Sequence, residues 1–340
     1  MERLRKEMKS RPSRRQRNMA LLAKMYSYAQ LYPAQPDIQD YEIKKETVSS
    51  NRGGFGDCYK GTFLNSHPVA MKCLRAPAKI DTSKMIRIKM DKARVWAKLH
   101  HNHVLPLIGL YTLDSVTYMV SPWMDNGNAF DYVRTHDNVD RLSLLLQAAK
   151  GLKYLHEFEP KVIHGDIRGP NVLISAQGEA CIADFGLSYT PEEAKVSYSS
   201  TWKTAGNPAW MAPELLRDNP SPRSASSDVF SYGRMILELT IGERPFHYLR
   251  HPGIYGPASK GEMPKRPEKS SSTKWLTDDV WALAENCCHP HRAHRPQMNI
   301  VVIRMRELWL INRNANRNAR VTDADLFESP RSNALELEEV

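Results

Sequence analysis

The period of the hydrophobic positions changes once along this chain, near Gly127. Beyond it, Leu142, Leu145, Leu146, Ala149, Leu152 and Leu155 recur at spacings of three and four, which puts them on one helical stripe. Before it, short apolar runs bounded by turn residues predict strands: one ending before Ser49, one over 58–63, and one carrying Val69-Ala70-Met71-Lys72. Two more are predicted near 107–113 and 117–120, with a helix over roughly 83–99 between the third and fourth. The pattern predicts an α+β protein. A small sheet lobe with one main helix (41–120) leads through a hinge (121–127) into a larger helical lobe (128–310). Residues 1–32 read as helical up to Tyr32-Pro33, and a linker runs to about Asp40. Residues 311–340 form an acidic tail expected to be disordered.

Composition adds limits. At 340 residues, with 41% hydrophobic and 25% charged residues, the chain can bury a sizeable core. Five cysteines without framework spacing point to reduced thiols in the cytoplasm or nucleus. Cys287-Cys288 precedes His289, His291 and His294 without a second ligand cluster at zinc spacing, so packing is the expected role. No apolar run approaches bilayer length, which argues against a membrane span and against secretion. The net charge of +10 is concentrated at the start, where residues 1–24 carry nine Lys or Arg against two Glu. Nucleic acid or anionic lipid would suit Arg11, Arg14, Arg15 and Arg17; a solvated helix leading into the domain is the favoured reading. Met19, Leu22, Met25 and Tyr26 fall at helical spacing, so the second half of this arm is expected to dock.

Chemistry concentrates in His164-Gly165-Asp166-Ile167-Arg168-Gly169-Pro170-Asn171, followed by Asp184-Phe185-Gly186. Two Asp and one Asn so spaced form a compact set of oxygen ligands, able to hold a substrate hydroxyl beside magnesium-bound phosphates. Upstream, Asn51-Arg52-Gly53-Gly54-Phe55-Gly56-Asp57-Cys58 is a glycine-rich turn between predicted strands, and Lys72 follows Gly56 by sixteen residues. Glycines there let backbone N–H groups approach phosphate oxygens. Downstream stands Trp210-Met211-Ala212-Pro213-Glu214.

In order and spacing these residues resemble the protein kinase signature over about 41–310. The closest likeness is the tyrosine-kinase-like branch of the Ser/Thr kinases, including fungal kinases with His-Gly-Asp-Ile-Arg-Gly. The resemblance implies a bilobal fold and transfer of the γ-phosphate of ATP to protein Ser/Thr hydroxyls. It implies that Asp166 orients the hydroxyl, Arg168 neutralises the γ-phosphate, and Lys72 grips the α- and β-phosphates. Asn171 and Asp184 would hold Mg2+. Gly53, Gly54, Phe55, Gly56, Cys58, Ala70 and the Met124 backbone would surround the nucleotide, with Ser121 at the back of its pocket. Glu214 is expected to pair with Arg295, and Asp228 to anchor the catalytic loop from below.

Several positions depart from the pattern. Asn51 stands where Gly is usual, Arg168 where Lys is usual in Ser/Thr kinases, and Asn207 where Thr is usual. Gly165 replaces an Arg, so Ser197–Thr204 would lack the customary phosphate clamp. Counting back from Leu99-His100-His101, Lys92 occupies the helix position whose Glu would pair with Lys72. Two ammonium groups about 4 Å apart repel by roughly 4 kcal/mol at an effective dielectric near 20, so one must move or lose its proton. Rotation to present Asp91, a register one residue off with Asp91 as the true partner, or a Lys72–Asp184 pair in an inactive arrangement would each relieve this. The alternative to an active kinase is a nucleotide-binding scaffold without transfer.

Overall fold

The computed structural model describes residues 1–29, 37–53, 56–73, 90, 92–185, 188, 206–270 and 273–327. Strands β1 (Ile43–Gly53), β2 (Gly56–Phe63), β3 (His67–Cys73), β4 (Gly109–Leu113) and β5 (Val116–Pro122) form an antiparallel sheet in the order β1-β2-β3-β5-β4. The predicted strands are all present, although β1 runs past Ser49 to Gly53. Residue 90 and residues 92–96 are helical within the predicted 83–99 segment; 74–89 and 91 lie outside the described residues.

Register decides what each sheet face does. Ala70 pairs with Ser121, Met71 with Val120 and Lys72 with Met119, so side chains alternate between two faces along β3 and β5. Val69, Met71, Cys73, Tyr118 and Val120 share one face and are buried. What covers that face is the N-terminal arm. Helices α1 (Glu2–Ser10) and α2 (Arg15–Ala29) contribute Met8, Met19, Leu22 and Tyr26 to the same core cluster. Burying a side chain such as Leu22 contributes about 1.5–3 kcal/mol. The opposite face keeps Ala70, Lys72 and Ser121 for the cleft between the lobes.

Three details correct the sequence reading. The arm is two helices, broken at Arg11, whose φ of −133° and ψ of 86° fit the residue before Pro12 better than a helix does. Met25 is exposed, because the buried stripe is Met19, Leu22 and Tyr26. The first half of the arm docks as well as the second. Arg5 reaches Glu42 through two bonds, Nε to Oε1 at 3.0 Å and Nη2 to Oε2 at 2.9 Å. The Glu42 side chain is fully buried and also accepts the Gln39 N–H at 2.9 Å.

The large lobe is built on α3 (Ala129–Thr135), α4 (Arg141–Glu157), α5 (Ala225–Ile241), α6 (His251–Lys260), α7 (Asp278–Cys287) and α8 (Met298–Phe327), with a two-stranded ribbon of β6 (Val172–Ile174) and β7 (Ala180–Ile182). The stripe predicted on α4 is buried throughout. Helix α5 is enclosed on all sides; it starts with a Ser224/Ser227 capping box and stops at Gly242, whose φ of 81° favours glycine. Cys287 and Cys288 pack against Gly233 of α5, where an added Cβ would come within 2.7 Å of both. Arg295 forks onto Glu214 with two bonds of 2.7 Å. The expectation of a disordered tail is overturned in part. Helix α8 continues to Phe327, since no Gly or Pro interrupts the chain between Met298 and that point. Residues 328–340 lie outside the described residues. Among the described residues no helix is long and apolar enough to cross a membrane.

The arm's docking is testable. Arg5→Ala leaves the buried Glu42 carboxylate without its guanidinium and is expected to cost about 2–3 kcal/mol in urea unfolding. Arg3→Ala removes an exposed pair with Glu7 and is expected to change nothing measurable. Equal effects of the two would contradict the docking described.

Candidate active site

The loop from His164 to Asn171 has no regular structure of its own until the 3-10 turn Gly169–Asn171, so its shape comes from what holds it. At its start, the buried Asp228 of α5 accepts the His164 N–H and the Gly165 N–H, each at 2.8 Å. His156 lies 3.0 Å from the same carboxylate. At its end, the Gly169 N–H donates to Glu238 Oε2 at 2.7 Å. Gly165 sits at φ 80°, where glycine is favoured.

Between these anchors the polar groups converge. Asn171 Nδ2 donates to the backbone oxygen and to Oδ2 of Asp166, both at 2.7 Å, and Arg168 Nε reaches the same Oδ2 at 3.3 Å. With its two amide hydrogens so used, Asn171 keeps its Oδ1 as an acceptor. Asp166 is mostly buried, one carboxylate oxygen being fixed by these contacts.

Asp184 follows β7 with a φ of 63°, unusual for a residue with a side chain. Its Oδ1 is 2.7 Å from Lys72 Nζ, an ion pair across the lobes. The next residue, Phe185, stacks between Trp96 (ring centroids 5.2 Å apart) and His164 (5.4 Å). Trp96 is itself fixed by a bond from its indole N–H to the Leu105 carbonyl. Lys92 lies one helical turn before Trp96 and is buried. Lys92 thus faces inward, as counted from the sequence, while Asp91 lies outside the described residues. The Lys72–Asp184 pair, one of the three ways to relieve charge at Lys72, is present.

The expected nucleotide contacts fall on one side of the sheet. Cys58 is paired with Lys72 across β2 and β3, and Ala70 with Ser121 across β3 and β5. Burial pushes the Cys58 thiol pKa up, with Lys72 opposing it. Gly53 and Gly56 close the β1–β2 hairpin, while Gly54 and Phe55 lie outside the described residues. In the hinge, Trp123 donates to Pro68 and Gly127 to Met124. The Met124 N–H has no partner among the described residues, as a hydrogen bond to a flat heterocycle requires. An amide oxygen at Asn171 and a carboxylate at Asp184 are hard ligands suited to Mg2+ shared with phosphates. The residues fit both groups.

Comparison with known proteins agrees with this geometry. Residues 46–305 match the sequence profile described as protein tyrosine and serine/threonine kinase. The chain belongs to this kinase family. Among similar proteins are the serine/threonine-protein kinases STY17 (28% identical over 317 residues) and STY46 (30% over 261), both of Arabidopsis thaliana, and the nodulation receptor kinase of Pisum sativum (29% over 294). These alignments cover 89%, 75% and 80% of this chain and 53%, 42% and 31% of the relatives. The kinase chain thus spans about half the length of the first and less of the others.

Two residues of this kinase went unnoticed in the sequence. Arg223 is buried and its Nε donates to the Gly165 carbonyl at 3.2 Å, bringing a guanidinium to the loop beside the position where one is missing. Glu238 ties Gly169 to the indole N–H of Trp210, 2.9 Å from its Oε2. An acid inside the apolar run Met235-Ile236-Leu237-Glu238-Leu239 was the available signal, since such a residue is seldom buried without partners.

Burial raises the Glu238 pKa to about 7, although the Gly169 and Trp210 donors, Arg168 and Arg244 pull it down. A folded pKa above the ordinary value means that the folded state binds the proton more tightly. Its contribution is therefore complete below about pH 4.5 and is lost as pH rises through about 7, by up to about 3 kcal/mol. Glu238→Gln keeps an acceptor and cannot ionise. Urea unfolding between pH 5 and 8 should show a shallower decline in stability for Glu238→Gln than for wild type, and identical slopes would contradict the assignment.

Proposed function

We propose that the chain is an ATP- and magnesium-dependent protein kinase of the tyrosine-kinase-like branch, transferring the γ-phosphate of ATP to Ser or Thr hydroxyls. The observation that carries this reading is the convergence of Asp166, Asn171 and Arg168 on one anchored loop, with Asp184 of the same lobe paired to Lys72 of the other. Asp166 presents its free carboxylate oxygen to the hydroxyl, while Asn171 and Arg168 hold the other. Lys72 contacts the α- and β-phosphates from β3, and Arg168, a planar fork in place of an ammonium, faces the γ-phosphate. Ala70 and Cys58 would flank the adenine, the Met124 N–H would donate to it, and the hairpin closed by Gly53 and Gly56 would lie over the phosphates; Gly54 and Phe55, expected to join them, lie outside the described residues. Asn171 and Asp184 would hold magnesium, which would screen the phosphate charges. Positioning and charge stabilisation supply most of the rate in such a transfer.

The scaffold alternative rests on Lys92, Asn51 and Gly165, of which Lys92 bears most directly on Lys72. STY17 and STY46 are named as kinases, and a Lys at this position leaves Lys72, Asp166, Asn171 and Asp184 in the chain. Its effect is on alignment: no carboxylate from residue 92 draws Lys72 away from Asp184. Transfer is accordingly expected to be slow.

Transfer from labelled ATP with magnesium to Ser- and Tyr-containing peptides tests the reading. Wild type should label the Ser peptide, Asp166→Asn should lose at least about 100-fold, and Lys92→Glu should be faster than wild type. If wild type transfers nothing while binding ATP, and Lys92→Glu gains transfer, the scaffold reading replaces this one.

A further inference from the structure

Two guanidinium groups flank a single aromatic ring on the large lobe. Arg134, in the last turn of α3, has its Cζ 5.2 Å from the Phe130 ring centroid, and Arg244, just past α5, has its Cζ at 5.8 Å. Both are exposed. Neither guanidinium makes an ion pair or hydrogen bond to any described residue. Three buried arginines of this lobe are committed: Arg295 to Glu214, Arg141 to three backbone carbonyls and Arg234 to the Glu262 carbonyl.

The pair borders a cavity of about 400 Å³. Its walls include Trp210, Phe246, Leu249 and Ile254, which are apolar, and Asn207 stands at its edge. The Asn207 Oδ1 accepts the Ala209 N–H at 3.1 Å, and its amide hydrogens have no partner among the described residues. Glu243 also lines the cavity, so the two arginines outnumber the acids there by one.

The cavity adjoins the catalytic loop through Trp210. The Arg168 guanidinium is 5.9 Å from the Trp210 ring, and the Trp210 indole shares Glu238 with the Gly169 N–H. A chain segment lying in the cavity would therefore pass close to Asp166. Guanidinium groups held against a ring keep their charge and present a fixed fork to a carboxylate.

We propose that this cavity is a docking subsite for the protein substrate, recognising an acidic side chain beside an apolar one. The acid pairs with Arg134 and Arg244, and the apolar neighbour fills the wall formed by Trp210, Phe246, Leu249 and Ile254. The proposal rests on the kinase reading above and adds a substrate class to it: acidic–apolar segments near the accepting Ser or Thr. The excess of unpaired donors over acids in the cavity favours such a segment over a basic one.

Two readouts separate this proposal from the kinase reading. The first is fluorescence anisotropy, without ATP, of a labelled peptide of alternating Asp and Leu around one Ser, against a counterpart with Lys for Asp. Wild-type full chain should bind the Asp peptide at least about tenfold more tightly, and Arg134→Glu with Arg244→Glu should reverse that order. The second is transfer to the same peptides, where the double variant should raise KM for the Asp peptide and leave kcat largely intact. Binding preference without transfer sinks the kinase reading and spares the subsite. Equal binding of the two peptides, or a preference that survives charge reversal, overturns the subsite. Tighter Asp-peptide binding after Glu336→Gln, Glu338→Gln and Glu339→Gln assigns the cavity to the chain's own acidic tail and overturns the substrate as its occupant.

Discussion

Two buried carboxylates on one helix set the shape of this active site. Asp228 and Glu238 are ten residues apart on α5, about 15 Å along its axis. The first takes the amides of His164 and Gly165; the second takes that of Gly169. A loop with little hydrogen bonding of its own is thereby held at both ends, and Asp166 lies between them. Charges this deeply buried are costly unless well partnered. Asp228 has three neighbours within 3.0 Å, whereas Glu238 keeps one oxygen, Oε1, without a partner. Burial, with that oxygen left unpartnered, raises the proton affinity of Glu238 towards neutrality.

From this platform the order spreads upward. His164 touches Phe185, Phe185 touches Trp96, and Trp96 belongs to the helical segment of the small lobe. The aromatic column and the Lys72–Asp184 pair are two separate ties between the lobes close to the reacting groups. The small lobe in turn is stiffened from behind. With α1 and α2 on its outer face, the sheet is covered on the side away from the cleft, and Glu42 joins the arm to the start of β1. The arm's positive charge is partly internal: Arg5 meets Glu42, while Arg15 donates to the Met8 carbonyl and lies over the Tyr41 ring. Arg11, Arg14 and Arg17 remain exposed.

How much of this the sequence revealed follows from the range of each interaction. Asp166, Asn171 and Asp184 stand out in short motifs, and the structure brings Asn171 to Asp166 and Asp184 to Lys72. The strands and α4 were legible because one face of each is apolar. Glu238, Arg223 and the docking of Arg5 were not, because each acts on a residue 37 to 69 positions away. The break at Arg11 carried a local signal in Pro12, outweighed in the reading by the helical composition around it. The persistence of α8 to Phe327 shows the converse: an acidic, polar composition alone does not end a helix already nucleated by packing.

The central claim is that α5 fixes the two ends of the catalytic loop independently. Amide hydrogen exchange in wild type and Asp228→Asn tests it most directly. Losing one charge-assisted bond should speed exchange at His164 or Gly165 by about tenfold or more while Gly169, held by Glu238, keeps its protection. Unchanged exchange at all three amides, or equal loss at all three, would contradict the account.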